Sequence, residues 1–305
     1  MRLRILGAAA GGGYPQWNCG CAVCRAARDG SAQTLTQSSI AVRGDSDERW
    51  VLVNASPDLR AQLASLPFDR GDALRGSPVA AIVLTDAEID HTAGLLLLRE
   101  SSEPLHVWST EDVRVALTDH YPVLRMLERY CGVVWHELMP GVATSIDGTS
   151  ISVEPFVTGG DAPLYMGPDA ADGPEAIGLT IRDAGAADAG PARSLCYAPA
   201  IADAGDAALL DRLRASDCVL ADGTFWTSDE LVSLGLTRRD SFAMGHAPLT
   251  GSQGTLDTLA DLPAARRILV HINNSNPILL AHSDERSVVE ARGVEIGHDG
   301  LEVEL

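Results

Sequence analysis

Four times along this chain a short apolar run stops on a polar residue. "WVLV" leads to Asn54 and Asp58, "AAIVL" to Asp86, Glu88, Asp90 and His91, "CVLA" to Asp222, and "RILV" to His271. Apolar runs of this length read as buried strands. Between and around them lie helical repeats, "SPDLRAQLASL", "HTAGLLLLRE", "TEDVRVALTDHYPVLRMLERYC", "DAALLDRLRAS", "TSDELVSLG", "GTLDTLADL" and "DERSVVEARG". Several open on a Ser, Thr or Asp able to cap the first turn. The combination demands a layered α/β fold, in which polar residues at strand ends converge on a site.

Further strand patterns, "RLRILGAA", "SSIAV", "LHVWST", "SISVEPFV", "IGLTIRD", "SLCYAPA", "VEIG" and "LEVEL", make strands more numerous than helices. A chain of 305 residues can bury a sizeable core, and no linker or internal repeat divides it, so residues 1–305 read as one domain. "GGDAPLYMGPDAADGPEA" reads as a long surface loop and "DAGAADAGPARS" as a hairpin tip, because neither carries periodicity.

With 42 acidic against 23 basic residues the net charge is −19, which repels phosphate backbones and anionic lipid and argues against nucleic-acid partners. No stretch reaches the roughly 18 apolar residues of a membrane span. The N-terminal "MRLRILGAAAGGG" reads as a first strand running into a loop rather than a leader, so a cytoplasmic protein is expected.

The string "TDAEIDHTAGLL" puts three carboxylates and an imidazole within six positions. Such residues also suit a helix N-terminus. A second strand-end histidine, His271 ahead of "NNSN", shifts the reading towards a metal, since carboxylate oxygen and imidazole nitrogen together suit first-row ions. Cys19, Cys21 and Cys24 supply three thiols in six residues, the spacing of a zinc loop lacking a fourth ligand, while Cys131, Cys196 and Cys218 are scattered. "GAAAGGG" is a weakened phosphate-loop pattern that no helix follows, because Pro15 and the cysteines intervene. Its glycines are expected to let backbone pass close to the site. His246, in "MGHAPLTG", and Asp222 are candidates for supporting a ligand or contacting substrate, whereas His106, His120, His136, His282 and His298 receive no role.

The string around Asp86 to His91 resembles the metallo-β-lactamase signature H-x-H-x-D-H. Asp86 and Glu88 stand where that superfamily has its first two histidines, and Asp90 and His91 match its Asp-His pair. His271 matches the final superfamily histidine, and Asn54 stands where a supporting Asp is usual. "EPFVTGGDAP" lacks the middle histidine and "CYAPA", around Ala198, the bridging Asp. The resemblance implies one metal site dismantled and one retained. The retained set, Asp90, His91 and His271, is the two-histidine, one-carboxylate arrangement of non-haem iron(II) oxygenases.

Longer strings, "GAAAGGGYPQWNCGCAVC", "TQSSIAV", "WVLVNASPDL", "IVLTDAEIDHTAGLLLLRE", "LADGTFW", "MGH" and "ILVHINNSNPIL", are similar to the pyrroloquinoline quinone (PQQ) biosynthesis protein B family over essentially the whole chain. That resemblance implies a four-layer αββα sandwich and a role in making PQQ from a ribosomal peptide. The reaction it implies is iron-dependent hydroxylation, with molecular oxygen, of the tyrosine ring in a Glu-Tyr dipeptide; two such steps would give a trihydroxylated ring. Iron(II) would sit on Asp90, His91 and His271, with Asp86, Glu88 and Asp222 as further candidate ligands. A structural zinc would sit on Cys19, Cys21 and Cys24. In a related phosphodiesterase family the position of Asn274 holds a zinc-binding histidine, leaving Asn274, His246 or a water as fourth ligand. Asn54, Asp58, Asp222 and His246 would contact substrate or support the metal. Expected partners are the peptide-derived substrate, other PQQ-pathway proteins and a second copy of the chain. Two rival readings stand beside this one: a metallo-hydrolase of a phosphoester or ester, and a cytosolic carrier assisting transport of PQQ to the periplasm.

Overall fold

A computed structural model of the chain describes residues 1–69, 71–160, 162–167, 176–186 and 193–305. Half of the expected surface loop and half of the hairpin tip, at 161, 168–175 and 187–192, lie outside the described residues.

The strands are β1 (Arg2–Gly7), β2 (Ser39–Arg43), β3 (Trp50–Val53), β4 (Val79–Val83), β5 (Leu105–Ser109), β6 (Val133–Glu137), β7 (Thr144–Ser145), β8 (Ile151–Gly159), β9 (Ala176–Asp183), β10 (Ser194–Ala198), β11 (Cys218–Asp222), β12 (Arg266–Val270), β13 (Glu295–Ile296) and β14 (Glu302–Glu304). The helices are α1 (Ala22–Arg28), α2 (Leu59–Ala64), α3 (Ile89–Thr92), α4 (Glu111–Val115), α5 (Val123–Leu127), α6 (Ala207–Arg214), α7 (Glu230–Ser233), α8 (Leu256–Ala260) and α9 (Asp284–Ala291).

Two seven-stranded sheets form, in the orders β14-β1-β2-β3-β4-β5-β6 and β13-β12-β11-β10-β9-β8-β7. Each is antiparallel over one half and parallel over the other, with β3 to β6 parallel in the first and β10 to β13 in the second. Strand alternation explains the layering. Val51, Val53, Ala81, Val83 and Trp108 of the first sheet pack in one cluster with Leu179, Ile181 and Leu195 of the second. The intervening Trp50, Leu52, Ile82 and Val107 face the other way, onto Leu59 of α2 and Val113, Leu124 and Leu127 around α4 and α5. Leu209 and Leu213 of α6, Leu256 and Leu259 of α8 and Val289 of α9 cover the second sheet. The result is helices, sheet, sheet, helices, the αββα sandwich. Leu52 is fully buried, and truncating it to alanine would cost about 2–5 kcal/mol.

The helices are shorter than their sequence patterns. The 110–131 pattern breaks because Pro122 removes a donor and pushes Tyr121 to φ −122°, ψ 85°, out of the helical region. Residues 116–120 form a π turn, and β6 follows where no strand was expected. The "HTAGLLLLRE" pattern resolves into α3 and a 3-10 turn over Ala93–Leu98. Gly94 there donates to the Ala55 carbonyl at 2.8 Å, and a Cβ on it would fall 2.1 Å from the Ser56 carbonyl oxygen. Helix α1, also unexpected, is capped by the Cys21 sulfur, which accepts from the Cys24 N–H. Among the described residues no helix is long and apolar enough to cross a membrane.

Candidate metal centre

The polar residues predicted at strand ends meet where the parallel halves of the two sheets present their C-terminal ends. Asn54 follows β3 and His271 follows β12, and these are the two non-glycine residues with left-handed backbone, φ 62° and 55°, among the described residues. Such conformations are costly for side chains with a Cβ and gather at functional sites.

A chain of hydrogen bonds starts at Asn54. Its Oδ1 accepts from the Thr85 N–H at 3.0 Å and its Nδ2 donates to Thr85 Oγ1 at 2.9 Å. Thr85 Oγ1 donates to Asp86 Oδ2 at 2.8 Å, and Asp86 lies 2.7 Å from His91 Nδ1. Asp86 Oδ1 also accepts from the Glu88 N–H at 2.9 Å. Asp86 therefore fixes the His91 ring through Nδ1 and leaves Nε2 facing inward, buried and without a hydrogen-bond partner. An orphaned buried nitrogen costs about 1–3 kcal/mol unless a cation meets it.

Two other atoms converge on that nitrogen. Asp90 Oδ2 lies 3.8 Å from His91 Nε2 and 3.5 Å from His271 Nε2, with the two rings 5.2 Å apart. His271 Nδ1 lies 2.9 Å from Thr224 Oγ1, which itself donates to Asp222 Oδ1 at 2.6 Å. The Nδ1–H tautomer this implies leaves the Nε2 lone pair of His271 free for a metal. One oxygen and two imidazole nitrogens, all within 4.8 Å of one another, could hold a first-row divalent ion. Gly11 brings the glycine loop against them, since a Cβ there would lie 3.2 Å from Asp90 Oδ2.

A second donor set, Asp222, His246 and His271, shares His271 with the first. His246 stacks on His271 at 5.0 Å, and its Nδ1 lies 2.7 Å from Asp222 Oδ2. Asp222 is fully buried and also accepts the N–H groups of Ile201 and Thr224, both at 2.9 Å.

Charges here are strongly coupled. Burial opposes a charged His91, but Asp86 and Asp90 outweigh it and hold its pKa up to about 9. The same pairing carries Asp86 and Asp90 below the usual carboxylate range against their own burial. Burial lowers His271, whereas Asp222 raises His246 despite burial. Burial, with Asp86 and Asp90 nearby, pushes Glu88 up to about 7.

The candidates thus divide. Asp90, His91 and His271 come together. Asp86 is committed to His91, Thr85 and the Glu88 N–H, and neither it nor Glu88 belongs to a donor set among the described residues. Asp222 and His246 pair beside the triad. Asp58 lies further out, accepting from the N–H and Nε2 of Gln37 at 3.0 and 3.1 Å, while Gln37 Oε1 accepts from Gly12 N–H; it braces the glycine loop. Thr85 and Thr224 escaped the sequence reading, their one signal being that they lie one position before Asp86 and two after Asp222. Tyr197, fully buried with its hydroxyl 3.2 Å from Ser38 Oγ, gave none.

The sulfur atoms of Cys19, Cys21 and Cys24 form a third set within 4.8 Å. Asn274 Nδ2 lies 3.1 Å from Cys24 Sγ, and the Asn274 carbonyl oxygen lies 3.8 and 3.7 Å from the sulfurs of Cys21 and Cys24. Of the residues considered for a fourth ligand, Asn274 is beside the thiols and His246 is beside His271. Burial, reinforced by the neighbouring thiols, pushes Cys21 up to about 11, whereas hydrogen bonds within the loop bring Cys19 down against its burial, so Cys21 is the thiol that a cation would have to deprotonate.

The beta-lactamase superfamily domain matches residues 49–272. Coenzyme PQQ synthesis protein B of Azoarcus sp. (strain BH72) is 42% identical over the whole of both chains, and that of Pseudomonas aeruginosa (strain PAO1) is also 42% identical at full length. Among solved structures, Zn(2+)-bound PqqB from Methylobacterium extorquens superposes with a TM-score of 0.89 at 36% identity, covering all of both chains. A diphosphatase of the PhnP family shares the fold, with a TM-score of 0.66 at 20% identity over 100% of this chain and 98% of its own. The chain belongs to the coenzyme PQQ synthesis protein B family, within the β-lactamase superfamily.

Proposed function

We propose that the protein acts in PQQ biosynthesis as an iron(II)-dependent oxygenase that hydroxylates the tyrosine ring of a Glu-Tyr dipeptide. The observation that carries this reading is the convergence of Asp90 Oδ2, His91 Nε2 and His271 Nε2, with the His91 nitrogen buried and otherwise unpartnered. Two histidines and one carboxylate leave coordination positions open, which suits oxygen chemistry better than a closed structural site. The relatives' names support the pathway, and to it the proposal adds the dipeptide, the pathway partners and a cytoplasmic place of action.

Bound iron(II) would supply one-electron chemistry with molecular oxygen. The rest falls to the protein. Asp86 and Thr224 hold the two imidazoles by Nδ1 so that both Nε2 atoms keep their aim. His246, held by Asp222 and stacked on the His271 ring, is placed to give or take a proton as a ring hydroxyl forms. The low-lying carboxyl of Asp90 stays ionised and supplies the one formal negative charge among the three ligands. We assign a structural zinc to Cys19, Cys21 and Cys24, with Asn274 as the fourth contact.

A second reading, hydrolysis, is favoured by the second donor set, because two sets sharing His271 could hold two ions. One experiment separates the readings. Protein reconstituted anaerobically with iron(II) is given Glu-Tyr, reductant and 18O2, and the product is weighed by mass spectrometry. Incorporation of labelled oxygen, lost in His91→Ala, is the expected result. No incorporation, together with turnover of phosphodiesters by zinc- or manganese-loaded protein, would replace the oxygenase with the hydrolase.

A further inference from the structure

At the opposite ends of the same strands a cleft of about 990 Å³ opens against the first sheet. Its apolar walls are Leu59 and Leu63 of α2, Val79 opening β4, Leu97 and Leu98 of the 3-10 turn and Leu105 opening β5; Arg49, Arg60 and Arg75 also line it. The strands it borders run four or five residues, so about 15 Å separates this end from the metal centre.

The arginines are the informative residues. All 23 basic residues of this chain are arginine, and 42 carboxylates outnumber them. Elsewhere several arginines pair, Arg212 with Glu154, Arg266 with Glu295, Arg286 with Glu290 and Arg292 with Asp257, and the exposed Arg129, Arg193 and Arg238, unpaired among the described residues, lie outside this cleft. Arg49, Arg60 and Arg75 make no hydrogen bond or ion pair with any described residue. Glu100, Glu103 and Asp147 line the cleft too, and Glu100 lies 3.8 Å from Arg99. Unpaired acids are unavoidable at this composition; three unpaired guanidinium groups beside one apolar cleft are not.

We propose that this cleft is a second ligand site, which takes a small amphiphilic anion with a carboxylate, sulfonate or phosphate head on an aryl or acyl body. The guanidinium fork matches such heads in two parallel hydrogen bonds, and the leucine walls take the body. The volume lies at the upper end of ordinary ligand pockets, and the net charge of −19 disfavours an anionic membrane, which leaves a free molecule as the occupant.

The test titrates the folded protein with 8-anilinonaphthalene-1-sulfonate and displaces it with dodecanoate, dodecanol or inorganic phosphate. The expected result is one saturable site, displaced by dodecanoate at least tenfold more effectively than by dodecanol, and untouched by millimolar phosphate. The triple variant Arg49→Gln/Arg60→Gln/Arg75→Gln should bind the dye at least tenfold more weakly at an unchanged Tm, whereas His271→Ala should bind it as wild type does. Equal displacement by dodecanol, or undiminished binding by the triple variant, would reduce the cleft to an apolar patch. Displacement by phosphate alone would make it a polar anion site, and loss of dye binding in His271→Ala would move the dye to the metal centre. Each of these outcomes overturns the proposal.

Discussion

The nitrogen–oxygen cluster of Asp90, His91 and His271 and the sulfur cluster of Cys19, Cys21 and Cys24 hang from one short stretch, since His271 and Asn274 are three residues apart. They are built in opposite ways. Each imidazole of the first is pinned from behind, His91 by Asp86 and His271 by Thr224, and His271 itself leaves β12 on left-handed backbone. The thiols of the second lie on a loop and a seven-residue helix, and their closest support is Cys24 N–H on Cys21 and the amide of Asn274. Geometry held by the protein with positions left open suits a catalytic ion; a close set of three sulfurs, one of which a metal must deprotonate, suits a structural one.

That contrast can be attacked directly, beginning with the residue that both nitrogen–oxygen sets share. His271→Ala should lower hydroxylation by at least about 1,000-fold while leaving zinc on the cysteine loop, read by turnover and elemental analysis. Loss of both metals together would erase the distinction. Asp86→Asn should weaken iron binding by about 10–100-fold, and saturating iron should restore most turnover, because the substitution alters support and not a ligand. Cys24→Ser should release zinc and lower Tm by about 5 °C, with turnover at saturating iron changed less than about tenfold.

The smallest effect is on pH dependence. In metal-free protein the His91 pKa stands near 9 against 6.5 in the unfolded chain, so the folded state holds the extra proton between those values. The charged pairing is fully stabilising below pH 6.5 and is lost as pH rises through about 9. Metal-free Tm should therefore fall across that window. Iron affinity should rise across it as the competing proton leaves, which calorimetry in buffers of different ionisation enthalpy would register as proton release.

Strand ends were readable because four apolar runs buried on both faces each stop on a polar residue, and Asp90, His91 and His271 follow from that pattern. The direction of individual atoms was not. Asp86 and Asp90 are carboxylates four positions apart, and only the fold turns Asp86 onto Nδ1 of His91 and Asp90 towards Nε2. Asp222 likewise could be a ligand or a support from its position alone, and its partner Thr224 carries no chemistry of its own in sequence. Helix lengths failed for a local reason: amphipathic periodicity runs on through Tyr121, where Pro122 interrupts the backbone, and it hid β6 just beyond. The glycine loop was legible in purpose, backbone passing close to the site, and Gly11 against Asp90 gives the contact.

The most direct measurement is X-ray absorption at the iron and zinc edges of one sample, loaded anaerobically with both metals. An iron first shell of nitrogen and oxygen only, beside a zinc shell dominated by sulfur, is the result predicted, with iron lost in His271→Ala and zinc in Cys24→Ser. Sulfur in the iron shell, or iron retained by His271→Ala, would contradict the assignment of an open catalytic site and a closed structural one.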